Sequence, residues 1–117
     1  MVLSAAMTQP RLKSKLMIQA CIRLCSERGL PATVVKRGDP DAGVIFIKVN
    51  AQGTGCMVIS QAYDVQEELY WINATGENPI EEKEADQLIN RQMQYDPDIW
   101  VLEVEDKLLR NPYDYSY

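Results

Sequence analysis

The chain has no histidine among its 117 residues, and that absence removes much of ordinary enzymology. Ser-His-Asp and Cys-His arrangements are excluded, as is any general base working near its unperturbed pKa at neutral pH. Cysteine is scarce and odd in number, three in all, which argues for reduced thiols rather than a disulfide framework. Long apolar runs are missing too. A run such as Val44-Ile45-Phe46-Ile47 falls far short of the roughly 20 apolar residues that cross a bilayer. Met1 to Met7 carries neither a basic leading region nor an adequate apolar one. A cytoplasmic protein with no membrane partner is therefore expected. No Gly-x-Gly-x-x-Gly and no Gly-x4-Gly-Lys-Ser/Thr occurs, so the common nucleotide cradles are unsupported. Gly53-Thr54-Gly55 reads as the closure of a hairpin.

What is present is ordinary for a globular domain: 46% hydrophobic and 25% charged residues, in a length that suits one domain able to bury a core without staples. The net charge of −5 hides an asymmetry. Residues 1–50 carry eight Lys and Arg against three acids, whereas residues 51–117 carry four against fourteen. Such a split favours head-to-tail self-association or an oppositely charged partner. As a nucleic-acid footprint the basic half is thin, because its cations are scattered over a helix and two strands with no interleaved aromatic set.

Local signals give an order of elements. Ser14 reads as an N-cap, with Leu16, Met17, Ala20, Cys21, Leu24 and Arg28 following at helical spacing until Gly29 and Pro31 end the helix. Within it Cys21 and Cys25 lie on one face at i, i+4. Zinc would need further ligands that Cys56 alone cannot supply, so buried small hydrophobes are the expected role. Four strands are predicted next, at Ala32–Arg37, Val44–Asn50, Cys56–Ala62 and Glu68–Ala74, joined as an antiparallel meander. A second helix is signalled by Asn78 as N-cap, Pro79 at the first helical position and Glu81 behind them. Ala85, Leu88, Ile89, Gln92 and Met93 trace its inner face, with Gln92 the one polar member. A last strand follows over Ile99–Asp106, with Trp100, Leu102 and Val104 on one face and Glu103 and Glu105 on the other. The fold class is α+β: helix, four-stranded antiparallel meander, helix and final strand, with both helices on one face of the sheet. In domain terms this gives a flexible N-terminal extension over residues 1–10, one α+β domain over 11–107, and an aromatic C-terminal tail over 108–117.

One tripeptide occurs twice, as Asp39-Pro40-Asp41 and Asp96-Pro97-Asp98. Its main reading is punctuation: the first copy reverses a hairpin between the first two strands, and the second stops a helix and starts a strand. The sharper reading is a split divalent-cation site in which Asp39, Asp41, Asp96 and Asp98 converge, joined by Glu103 or Glu105. Pro97-Asp98 followed by Glu105-Asp106-Lys107 also spells a metal-nuclease signature. Seven strand residues at about 3.3 Å each would separate Asp98 from Glu105 by roughly 23 Å, too far to share an ion. Arg37-Gly38-Asp39 and Asn73-Ala74-Thr75 spell adhesion and glycosylation motifs that need an extracellular context.

Arg11-Leu12-Lys13-Ser14, the segment Arg37 to Gly43 and the segment Asp96 to Asp106 together resemble the bacterial family known as domain of unknown function 1491. The resemblance spans roughly residues 11–107. It implies a single small domain and nothing catalytic. The expected function is thus a non-enzymatic interaction or regulatory domain whose partner is an unidentified protein or a second copy in a homodimer. A free strand edge, or aromatics among Trp71, Trp100, Tyr113 and Tyr115, would make the contact. The alternatives are the divalent-metal protein or enzyme built on the two acidic turns and, third, a weak nucleic-acid binder. No cofactor is predicted.

Overall fold

The computed structural model describes residues 12–114. Helix α1 (Ser14–Glu27) leads into β1 (Ala32–Lys36), β2 (Ile45–Asn50), β3 (Cys56–Tyr63) and β4 (Leu69–Asn73), followed by helix α2 (Glu82–Tyr95) and β5 (Trp100–Glu105). Elements therefore appear in the expected order. Their assembly is different.

The strands form one five-stranded sheet in the order β1-β5-β2-β3-β4. β5 enters between β1 and β2, antiparallel to β1 and parallel to β2. The predicted four-stranded meander is thus corrected to a mixed sheet. Only the β2–β3–β4 part is a meander. The physical reason lies in β2, whose six residues are all buried. A strand so apolar needs a neighbour on each edge and cover on each face. Its alternate side chains serve two cores. Ile45, Ile47 and Val49 pack with Met17, Ile18, Cys21 and Cys25 of α1, while Phe46 packs with Ala85 and Ile89 of α2. The helices accordingly cover opposite faces, and their predicted placement on one face is corrected. β5 repeats the division, with Trp100, Leu102 and Val104 toward α1 and Val101, together with Ile99 just before the strand, toward α2. It is a central strand rather than one covered on a single side. Fully burying each such aliphatic side chain contributes about 1.5–3 kcal/mol.

Several boundaries shift for local reasons. Ser14 is the first helical residue rather than the cap, and its Oγ donates to the Gly43 carbonyl at 2.6 Å. α2 begins at Glu82 rather than beside Pro79, because Ile80 is held in a backbone bridge with Cys56. Gly29, at φ 72°, ends α1 as expected, since a left-handed residue there costs glycine little. The hairpin at Gly53-Thr54-Gly55 is also observed, closed by Ala51 N–H donating to the Gly55 carbonyl at 3.0 Å.

Residues 108–114 belong to the packed unit. Tyr113 stacks on Trp71 with ring centroids 4.6 Å apart and donates its hydroxyl to the Met17 carbonyl at 2.7 Å. Arg28 Nη1 donates to the Pro112 carbonyl at 3.1 Å. The packed chain therefore runs past the expected boundary at 107, because these residues cover the β4 end of the α1 face. The expected extension over 1–10, and Tyr115, lie outside the described residues.

Asp106 anchors this tail. Its carboxylate accepts from Leu108 N–H at 3.0 Å and from Arg110 Nε at 2.9 Å. Burial pushes the Asp106 carboxyl up, but the Arg110 guanidinium and the Leu108 amide outweigh it and hold the group below its ordinary 3.8. A carboxylate lowered on folding stabilises fully above its unfolded pKa, and that contribution fades as pH falls through the folded value. Asp106→Asn should cost about 1–2 kcal/mol at pH 7. Urea melts from pH 7 to pH 2 should show the gap from wild type closing below about pH 3.8. A gap independent of pH would contradict this role.

Candidate functional site

The two Asp-Pro-Asp turns do meet, and they meet through their backbones. Asp39 N–H donates to the Asp98 carbonyl at 2.9 Å, and the Trp100 indole N–H donates to the Asp39 carbonyl at 2.7 Å. Gly38 and Gly43 flank the same Asp98 carbonyl oxygen so closely that a Cβ would lie 2.1 and 2.2 Å from it. Lys36 Nζ donates to the Pro97 and Ile99 carbonyls at 2.6 and 3.1 Å. Carbonyls of the first turn in addition receive the opening amides of α1, Ser14 N–H to Asp41 and Lys15 N–H to Pro40.

The carboxylates serve the turns themselves. Asp39 Oδ2 accepts from Asp41 and Ala42 N–H at 3.2 and 2.8 Å, Asp96 Oδ1 accepts from Asp98 N–H at 3.0 Å, and Asp41 approaches Lys13 Nζ at 3.7 Å on the surface. Glu105 accepts from Gln52 Nε2 at 2.9 Å, and Glu103 belongs to a different cluster described below. Among the described residues, no group of three or more carboxylates or thiols is placed to hold a metal ion. The first turn does not reverse a β1–β2 hairpin, since β1 and β2 both pair with β5. The second ends α2 and starts β5 as expected.

Of the predicted contact residues, Trp71, Trp100 and Tyr113 are among the described ones, and the two tryptophans lie apart. Trp100 is a core residue, 2% exposed, pinned by its indole to the first turn. It forms no surface patch with Trp71, which is half-buried under Tyr113. Cys21 and Cys25 are buried and free. Cys21 donates its thiol hydrogen to Cys25; that bond, together with burial, pushes the Cys21 thiol far up and lowers Cys25 in turn, so the two buried sulfurs share one internal hydrogen bond in the core.

The densest electrostatic cluster escaped the sequence reading. Lys48, in the middle of β2, is 4% exposed. Its ammonium donates to Glu82 Oε2 and Asp86 Oδ1, each at 2.7 Å, and lies 3.5 Å from Glu103 Oε1. Asn50 Nδ2 donates to the same Glu82 oxygen at 3.1 Å. The signal was a lysine alternating with apolar residues in a strand buried on both faces, opposite an acid-rich helix start. Burial pulls the Lys48 pKa down, but the Asp86 and Glu82 hydrogen bonds and the Glu103 charge outweigh it and hold it well above 10.5. A lysine that acts as base or nucleophile needs the opposite shift. This one is a permanent cation tying β2 to α2. Beside it a cleft of about 570 Å³ opens between the β2–β3 hairpin and the start of α2, with Asn50, Cys56 and Glu82 in its wall. Burial pushes the Cys56 thiol up as well.

The sheet edges are unlike each other. β1 is interrupted by a register shift between Val34 and Lys36, and Lys36 is folded onto the second turn. β4 pairs regularly with β3 over five residues, contains no charge and no proline, and exposes Leu69, Tyr70 and Ile72. No helix among the described residues is long and apolar enough to cross a membrane.

The family model described as "Protein of unknown function (DUF1491)" matches residues 12–114. A crystal structure of a DUF1491 family protein from Caulobacter crescentus is similar at 30% identity and TM-score 0.78, covering 89% of this chain and 96% of that one. A solution structure of protein Atu0922 from A. tumefaciens is similar at 27% identity and TM-score 0.72, covering 82% of this chain and 86% of that one. No curated protein matches the chain.

Lys48→Met should destabilise by about 2 kcal/mol or more, since it leaves three carboxylates crowded without their cation; half-exposed Glu82 and Asp86 keep the cost below that of a fully buried pair. Denaturant melts check this. A neutral or stabilising substitution would mean that the cluster does not tie β2 to α2.

Proposed function

From the premise that the chain belongs to the DUF1491 family, we propose that it is a non-enzymatic interaction domain that pairs with a second copy of itself along the free edge of β4. The observation that carries this reading is the contrast between the two edges. Proteins protect exposed strand edges with bulges, lysines, prolines or short irregular strands. β1 has a register shift and a lysine, whereas β4 has neither.

The geometry of β4 suits self-pairing. Asp64 and Val58 bond to Glu68 and Ala74 respectively, which sets the even-numbered residues of β4 toward β3. The backbone groups of Leu69, Trp71 and Asn73 therefore point outward. A two-fold axis through Trp71 would pair Leu69 with Asn73 of the second copy and form up to about six new backbone hydrogen bonds. The same register sets Tyr70 opposite Ile72 in the non-hydrogen-bonded positions, where side chains come closest. Aromatic–β-branched pairs of that kind contribute about 0.2–1 kcal/mol each. Glu67 and Glu68 fall outside the paired segment, so like charges do not oppose one another across the axis. Chemistry at the other clusters is disfavoured by the raised Lys48 pKa and by the burial of all three thiols.

Light scattering over a range of concentrations should report a dimer for the wild type and a monomer for Ile72→Lys. Ile72 is 45% exposed, so the substitution should change stability by less than about 1 kcal/mol. A wild type that stays monomeric at every concentration, or an Ile72→Lys variant that remains dimeric, would overturn the reading.

A further inference from the structure

We propose that the cleft between α1 and β1 is a binding site for a small amphipathic carboxylate, a molecule with one anionic head and an aliphatic or aromatic body. The cleft encloses about 380 Å³, a volume within the range of small-molecule sites. Its floor is apolar, made by Ile18, Ile22, Val34 and Trp100, and two cations, Lys15 and Arg37, stand in its wall.

Those two cations are set apart from their neighbours. Over residues 12–50, Lys13 meets Asp41, Arg23 meets Glu27 and Lys48 meets its three carboxylates. Arg28 and Lys36 donate to backbone carbonyls. Among the described residues, the side chains of Lys15 and Arg37 have no ion pair or hydrogen bond. Both are exposed at the mouth of a groove they share.

The position of Lys15 adds a second argument. It lies in the first turn of α1, which contains no acidic residue. The positive end of the helix dipole makes a cation unfavourable there and an anion favourable. The turn's leading amides already donate to the Asp41 and Pro40 carbonyls, so the lysine serves no capping role. An anionic head between Lys15 and Arg37 would offset the repulsion, while its body would cover the half-buried Ile22 and Val34. A lone pair of cations over an aliphatic floor matches one charge followed by a tail. It does not match the repeated phosphates and stacked bases of a nucleic acid. The cleft is lined from β1 and β5, with β2 and β3 between it and β4, so its occupancy is independent of self-pairing.

The test is an NMR titration of the full chain with octanoate, with 3-phenylpropionate and with octanol, followed through the Ile and Val methyl groups and the backbone amides. The expected result is saturable shifts at Ile18, Ile22 and Val34 with at least one of the two carboxylates, and binding of octanol at least tenfold weaker than that of octanoate. The double variant Lys15→Gln/Arg37→Gln, altered only at exposed positions, should keep a dispersed spectrum and lose at least tenfold in carboxylate affinity with octanol unaffected. Octanoate and octanol binding alike, saturable shifts confined to other residues, no saturable shift with either carboxylate, or a folded double variant with undiminished affinity would each overturn the proposal.

Discussion

The carbonyl oxygen of Asp98 is gripped between Gly38 and Gly43, and most of the architecture follows from that contact. It brings the start of β5 under the loop that joins β1 to β2. β5 then has one course open to it, between the two strands whose connection it has passed beneath. Neither glycine has a positive φ, so both are required by close approach rather than by backbone conformation. The Trp100 indole reinforces the junction from the core side by donating to the Asp39 carbonyl. The same loop lends its Pro40 and Asp41 carbonyls to the opening amides of α1. One crossing therefore sets a helix, a loop and a central strand.

With β5 inserted, β2 becomes the middle of the sheet and both its faces must be covered. α1 covers the face built from Ile45, Ile47 and Val49. α2 covers the other, where Lys48 sits among Glu82, Asp86 and Glu103. Such a cluster adds little net stability over a wholly apolar replacement of all its members, but removing the cation alone strands its carboxylates, and any register of α2 that leaves the cation unpaired is penalised. The insertion also settles which strands remain at the edges. β1 is irregular and guarded, β4 regular and open, and the proposed self-pairing follows from that difference. The carboxylate site proposed between α1 and β1 uses the guarded side, where Lys15 and Arg37 remain uncommitted among the described residues.

How much of this was legible depended on the range of the interaction. Signals carried within a few residues were read correctly: Gly29 and Pro31 ending α1, the Gly53-Thr54-Gly55 hairpin, and Pro97 separating α2 from β5. Thr33, by contrast, pairs with Glu103, and nothing near either residue announces a partner so distant in the chain. Local sequence therefore predicts that β1 and β2, adjacent in the chain and both β-like, pair with each other. The start of α2 departs from its local signal for a related reason, because the sound Asn78-Pro79 signal is overridden when Ile80 pairs with Cys56. The alternation of Trp100, Leu102 and Val104 was real, but Ile99 and Val101 were apolar as well, and that fuller pattern marks a strand covered twice. For the candidate sites, counting carboxylates drew attention to the two acidic turns, whose side chains brace their own loops. The lone Lys48 inside an apolar strand was the stronger clue.

The claim that the Asp98 carbonyl's close approach holds the fold together is tested most directly by comparing the stability of Gly38→Ala with that of Gly29→Ala in guanidinium melts. Gly29 has φ 72° and open space around it, so alanine there should cost only the left-handed penalty of about 1–2 kcal/mol. Gly38 has no positive φ, but an added methyl would lie 2.1 Å from the Asp98 oxygen, and Gly38→Ala should cost about 3 kcal/mol or more, or fail to fold. A Gly38→Ala protein as stable as wild type would contradict the account.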